Sequence, residues 1–153
     1  MRSLLFVPAD SPRKLEKAID CGADALILDL EDSVALTAKE AARRGAAEFL
    51  RKHGGIDTGP LLLVRINALD SGLADADLDM VAACNPHGIM LPKASGGGDI
   101  QHLGAKLAVR EAETDLVEGS IGILPIVSET ASAIFAMGSY RGASKRLFAM
   151  TWG

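Results

Sequence analysis

Four short segments concentrate the residue types that bind and polarise small acids. Asp29-Leu30-Glu31-Asp32-Ser33 crowds three carboxylates together, where mutual repulsion raises some pKa values unless a cation or basic group sits among them. The plainer use of such a loop is to cap the next helix or to pair with a lysine. Arg65-Ile66-Asn67 closes the apolar run Leu61-Leu62-Leu63-Val64. An arginine placed there can grip a carboxylate through two parallel N–H bonds, or enter a structural ion pair with Asp29 or Glu31. Leu91-Pro92-Lys93 brings a second cation to the end of a run, where a surface or structural role is as good a reading. Val127-Ser128-Glu129-Thr130 offers a hard oxygen ligand, and magnesium is commonly held by one or two carboxylates plus substrate oxygens. Taken alone, Glu129 reads better as a helix N-terminal glutamate favoured by the macrodipole.

Other candidates carry less. Ser95-Gly96-Gly97-Gly98-Asp99 could turn backbone amides toward a phosphate, but it lacks the P-loop lysine and reads better as a flexible loop. His53, His87 and His102 fall in no nucleophile or metal spacing, and no Ser/His/Asp or Cys/His arrangement is evident. Cys21 and Cys84 belong to no Cys-x-x-Cys pattern and read as two buried thiols rather than a disulfide.

The four reactive segments share one position, at or just beyond the end of a short apolar run. The runs are Leu4–Val7, Ala25–Leu30, Leu61–Ile66, Gly88–Leu91, Gly122–Val127 and Leu147–Met150. None alternates polar with apolar residues, so they read as strands buried on both faces. Helical patterns lie between them. Ser11-Pro12 supplies an N-cap and a first-turn proline for a helix through Leu15, Ala18 and Ile19 to Gly22. Thr37-Ala38-Lys39-Glu40 has the form of a capping box, for a helix to Lys52 stopped by His53-Gly54-Gly55. Ala74–Ala83, Asp99–Glu113 and Thr130–Met137 complete the set.

Strands alternating with helices imply a parallel sheet with right-handed crossovers. A doubly wound nucleotide binder would carry a glycine-rich turn after its first strand, and Val7-Pro8-Ala9-Asp10-Ser11 is not one. Polar residues after nearly every strand are what the C-terminal face of an eight-stranded barrel requires. The expectation is an α/β fold: a parallel TIM-type (β/α) barrel, with residues 1–153 as a single domain. A complete barrel takes roughly 250 residues, so about six of its eight strands are expected here.

Hydrophobic residues make up 48% of the chain and aromatics 4%, so the core must be aliphatic and alanine-rich. The net charge of −4, with no Lys/Arg stripe, argues against a nucleic-acid partner and leaves room for a local basic pocket. No stretch approaches the roughly 20 apolar residues of a membrane span. The N-terminal apolar run is too short for a signal-peptide core and ends at Pro8. A cytoplasmic protein with no membrane partner is expected.

Taken in order, Arg2-Ser3-Leu4-Leu5-Phe6-Val7-Pro8, Asp29-Leu30-Glu31-Asp32-Ser33-Val34, Arg65-Ile66-Asn67, Leu91-Pro92-Lys93 and Glu129-Thr130 carry a resemblance. Across essentially its whole length the chain resembles the citrate lyase beta-subunit-like branch of the HpcH/HpaI aldolase superfamily. The resemblance implies a magnesium-dependent carbon–carbon lyase acting on a 3-hydroxyacyl thioester of the citryl-, malyl- or citramalyl-CoA type. Its products would be an α-keto acid and an acyl thioester, carried on CoA or on an acyl carrier protein. It also implies roles by position: Arg65 binds the keto-acid carboxylate, and Glu129 is a magnesium ligand. Asp29, Glu31 and Asp32 are the acidic cluster that organises the site, and Arg13 and Lys17 meet the coenzyme's phosphates. In the family, Trp-Gly is followed by a segment whose aspartate is the second protein ligand to magnesium. Here Trp152-Gly153 are the last residues, so this chain alone is expected to lack a complete site. A homo-oligomer is implied as well, because in relatives a C-terminal segment covers the neighbour's active site. Two further readings stay open: an aldolase acting on a free hydroxy-keto diacid, and a non-catalytic partial barrel serving as scaffold or assembly subunit.

Overall fold

The computed structural model describes residues 1–55 and 59–153. Five strands lie side by side in chain order, all parallel: β1 (Leu4–Pro8), β2 (Ala25–Asp29), β3 (Leu61–Arg65), β4 (Gly88–Leu91) and β5 (Gly122–Pro125). The crossovers hold α1 (Pro12–Ala18), α2 (Lys39–His53), α3 (Ala74–Val81) and α4 (Gly97–Glu113), and α5 (Ala131–Phe135) follows β5. This is the α/β strand order of a TIM-type barrel. No described helix is long and apolar enough to cross a membrane.

The pleat sends successive side chains to opposite faces, so each strand feeds two layers. Leu26, Leu28, Leu62, Val64, Ile89, Leu91 and Ile123 belong to one cluster with Leu15, Ala46, Leu50, Leu78, Ile100, Leu103 and Leu107 of the helices. Ala25, Ile27, Leu63, Met90, Leu124 and Ile126 form the second cluster, with Leu4 and Ala149 packed against it. Each fully buried Leu or Ile contributes roughly 1.5–3 kcal/mol, which makes this double layer the main source of rigidity. The second layer has a consequence for function. Two residues beyond Ile27 on its face is Asp29, and two beyond Leu63 is Arg65, so the same period sets both at the C-terminal rim.

Several expectations give way. The Leu147–Met150 run forms no regular strand, only isolated parallel bridges, Ile123 with Leu147 and Ile126 with Thr151. Along β5 and the two residues after it, Ile123 donates to Arg146 and Val127 to Thr151, and the amide between them facing that run would belong to Pro125, which has none. Phe148 and Thr151 donate to the carbonyls of Ile123 and Pro125, three residues answering two, so the run also bulges. Strand β1 is not buried on both faces: Leu5 and Phe6 are 40% and 44% exposed, because β1 pairs only with β2. The capping box does not form; Leu36–Ala38 makes a 3-10 turn, and α2 starts at Lys39 without a side-chain cap. Ser11 likewise accepts through its carbonyl rather than its hydroxyl. Cys21 is exposed rather than buried, lying past the end of α1, and Cys84 is half-buried; both are free.

Candidate active site at the strand ends

Asp29 and Arg65 are register partners at the ends of β2 and β3. Asp29 is fully buried, and Arg65 meets it side-on: Nε donates to Oδ1 and Nη2 to Oδ2, both at 2.7 Å. The amides of Glu31 and Ser33 donate to the same carboxylate at 2.9 and 3.1 Å. Burial alone would raise the Asp29 pKa, but the bonds from Arg65, Ser33 and Glu31 outweigh it and hold the carboxyl below its ordinary value. For Arg65, burial works against the charge, while Asp29, Glu31 and Asp32 favour it more strongly, so its pKa is raised. The Phe6 ring covers one face of the guanidinium, with its centroid 4.7 Å from Cζ.

This pairing uses only one edge of Arg65. The end-on Nη1/Nη2 edge faces Glu31, whose Oε2 lies 3.2 Å from Nη1 without hydrogen-bond geometry. That Oε2 is buried and has no hydrogen-bond partner among the described residues. The other Glu31 oxygen accepts from Lys93 Nζ at 2.5 Å, and the exposed Asp32 lies 3.8 Å from the same ammonium. Glu31 thereby holds the Lys93 pKa above its usual value. Lys93 follows β4 with a φ of 52°, and its own amide donates to Glu129 Oε2 at 2.5 Å. Asp29, Arg65, Glu31, Lys93 and Glu129 thus form one unbroken chain of contacts across the ends of β2 to β5.

Glu129 does not sit in the first turn of a helix. Thr130 is the N-cap, its hydroxyl accepting from Ala133, and α5 runs only from Ala131 to Phe135. The glutamate therefore lies before the cap, exposed, and is directed by Lys93 rather than by a helix dipole. Three of the Ser95–Asp99 amides are taken within the protein: Ser95 donates to the Asp99 carboxylate, Gly97 to the Ser139 hydroxyl and Asp99 to the Gly96 carbonyl. Gly97 is needed for a different reason, since a Cβ would lie 2.1 Å from the Ser139 carbonyl.

A second tier supports the acidic loop, and sequence reasoning missed it. Lys39, buried, donates from Nζ to the carbonyls of Leu30 and Glu31 at 2.6 and 2.7 Å. Desolvation lowers its pKa, partly offset by Asp77, Asp29, Glu31 and Asp32. Asn67 donates from Nδ2 to the Leu30 carbonyl at 3.1 Å and to Asp77 at 2.7 Å, and Arg43 Nε donates to Asp77 at 2.7 Å. The available signal was Asp77 itself, a carboxylate on the same face of α3 as Ala74, Leu78 and Val81.

Arg13 and Lys17 are not drawn into this chain. Both are exposed on α1, and Lys17 lines a groove with Leu5, Phe6, Val7 and Cys21. Phe6 is common to that groove and to the Arg65 contact.

For magnesium, the donors are carboxylate oxygens alone: exposed Glu129, and Oε2 of Glu31, which accepts no hydrogen bond among the described residues but lies 3.2 Å from Arg65 Nη1. No three His, Cys, Asp or Glu side chains gather into a metal cluster among the described residues. An ion that is satisfied by one or two carboxylates, with water and substrate oxygens completing its shell, fits such a set.

Parallel strands in chain order with a cluster of charged side chains at their C-terminal ends define a barrel-type α/β protein. The chain belongs to the HpcH/HpaI aldolase/citrate lyase family, whose model matches residues 2–153. Mitochondrial citramalyl-CoA lyase of Rattus norvegicus is 35% identical over 136 residues, 87% of this chain and 39% of that protein. A (3S)-malyl-CoA thioesterase of Cereibacter sphaeroides is 38% identical over 105 residues, 68% of this chain and 36% of that one. Among solved structures, CitE of Mycobacterium tuberculosis with magnesium, acetoacetate and coenzyme A aligns with a TM-score of 0.70 and 30% identity, covering 98% of this chain and 47% of that one. The chain spans less than half the length of these three proteins.

Proposed function

We propose that the whole protein is a magnesium-dependent carbon–carbon lyase of 3-hydroxyacyl thioesters, releasing an α-keto acid and an acyl thioester. The observation that carries this reading is the state of Arg65. Asp29 fixes the guanidinium plane through one edge, while Nη1 on the other edge meets Glu31 Oε2 at 3.2 Å without a hydrogen bond, so a substrate carboxylate would take that edge in place of Glu31.

In this reaction the carbinol hydroxyl loses its proton and becomes the keto oxygen. The bond to the thioester α-carbon breaks, and that carbon leaves as the enolate and is then protonated. Arg65 orients the keto-acid carboxylate through its end-on edge, in a geometry that lysine cannot supply. Asp29 and Phe6 hold Arg65 so that little reorganisation is needed when charge develops. Magnesium, held through Glu129, supplies Lewis-acid polarisation of the keto oxygen when bound. Arg13 and Lys17, exposed and outside every ion pair among the described residues, are left to meet the phosphates of a coenzyme thioester. The CoA thioesters on which both relatives act by name, and the complex of CitE with magnesium, acetoacetate and coenzyme A, support this choice over a free diacid.

The test is Glu129→Gln in the complete protein, which keeps the shape and loses the charge. Mn2+ binding followed by electron paramagnetic resonance should weaken at least about tenfold, with thioester cleavage falling in step. Parent-like Mn2+ affinity in Glu129→Gln would remove Glu129 from the metal site.

A further inference from the structure

Lys93 is the hinge of the contact chain, and its backbone is as unusual as its position. A φ of 52° is a left-handed conformation that residues bearing a Cβ seldom adopt outside turns and functional sites. It is flanked by buried Pro92 and Ala94, and the Ala94 carbonyl accepts from the Tyr140 hydroxyl at 3.2 Å. The turn points the Lys93 amide away from β4 and at Glu129, and this is the one hydrogen bond to the Glu129 carboxylate among the described residues. Meanwhile the side chain reaches to the loop after β2 and binds Glu31.

We infer that Lys93 is a positioning residue: its main-chain amide holds the Glu129 carboxylate, and its ammonium, anchored on Glu31, keeps the backbone in the left-handed turn that aims that amide. The inference rests on the reading of Glu129 as the magnesium-facing carboxylate. It divides the residue's work between backbone and side chain, and the division can be tested. Lys93→Ala keeps the Cβ that makes the turn unfavourable and removes the anchor that holds it. Lys93→Gly removes the anchor too, but it adopts the turn without strain. Both lose the same charge beside the same carboxylates, so the ratio between them isolates the backbone.

In the complete protein, Lys93→Gly should bind Mn2+ about tenfold more tightly than Lys93→Ala, and within a few-fold of the parent. Equal affinities for the two variants would overturn the inference. A second readout needs no metal. By NMR, the residue 93 amide proton of the parent should lie downfield, as befits a donor to a carboxylate, and should move upfield in Glu129→Gln. An amide proton that ignores Glu129→Gln overturns the contact. A shift that appears in a parent binding no Mn2+ sustains the positioning and sinks the magnesium reading instead.

Discussion

Two arginine–carboxylate forks sit at opposite ends of the sheet. Beneath the N-terminal end of β5, Arg146 donates through Nη1 and Nη2 to the two oxygens of Glu111, both at 2.6 Å. The amides of Gly119 and Ile121 complete that carboxylate at 2.9 and 3.0 Å, and the Ile121 carbonyl takes a further bond from Arg146. Beyond the C-terminal ends of β2 and β3, Arg65 and Asp29 form a second fork at 2.7 Å, yet the remaining edge of Arg65 meets Glu31 Oε2 at 3.2 Å without a hydrogen bond. The two ends use the same chemistry. One is fully hydrogen-bonded and ties α4 to the start of β5; the other has one guanidinium edge that meets Glu31 without a hydrogen bond. Under the proposed function it is the incompletely hydrogen-bonded fork, rather than the buried ion pair as such, that meets substrate.

The largest expected difference is in stability. Arg146→Ala leaves Glu111 buried without its partner and should cost about 3–5 kcal/mol in urea unfolding, with kcat/KM of the folded protein unchanged. Glu111, whose pKa burial would raise but Arg146, Gly119 and Ile121 bring down to about 2, adds a pH signature. A carboxyl lowered in the folded state stabilises above its unfolded pKa, so this contribution, on the order of 3 kcal/mol, is full above about pH 4.5 and fades as pH falls toward 2. Glu111→Gln should flatten that part of the stability profile. A loss below about 1 kcal/mol in Arg146→Ala would mean that the lower fork is not the clamp described.

The upper fork should respond in turnover. Arg65→Lys should be nearly as harmful as Arg65→Ala, each losing about 30- to 1,000-fold in kcat/KM, or roughly 2–4 kcal/mol of transition-state stabilisation. Near-normal kcat/KM in Arg65→Ala on every thioester the parent accepts would erase the contrast between the forks. A smaller effect belongs to the rim. Lys17→Ala should raise KM for a coenzyme thioester by several-fold, and a fall confined to kcat would contradict a phosphate-binding role.

How far the sequence foretold this site follows from what it encodes locally. Asp29, Arg65 and Glu129 are legible because each lies at or just past the end of an apolar run, and a parallel barrel gathers such ends at one rim. The first five strands were legible for the same reason. The sixth was not, because hydrophobicity says nothing of the missing amide at Pro125 or of the bulge opposite it. Lys39 and Asp77 escaped because they belong to helices whose faces meet only after folding, 38 residues apart in the chain but sharing the region under the acidic loop. The left-handed turn at Lys93 has no signature in residue type, since lysine gives no sign of a positive φ.

In the proposed function the Arg65 fork serves carbon–carbon cleavage. The direct measurement is product analysis of the complete protein with malyl-, citramalyl- and citryl-CoA, in magnesium and in excess chelator. Keto acid, acyl thioester and free thiol are each quantified. Keto acid and acyl thioester should appear in equal amounts from at least one substrate, abolished by the chelator and restored by magnesium. Free thiol released with the hydroxy acid intact would show hydrolysis in place of cleavage, and cleavage indifferent to the chelator would remove magnesium; either result contradicts the account.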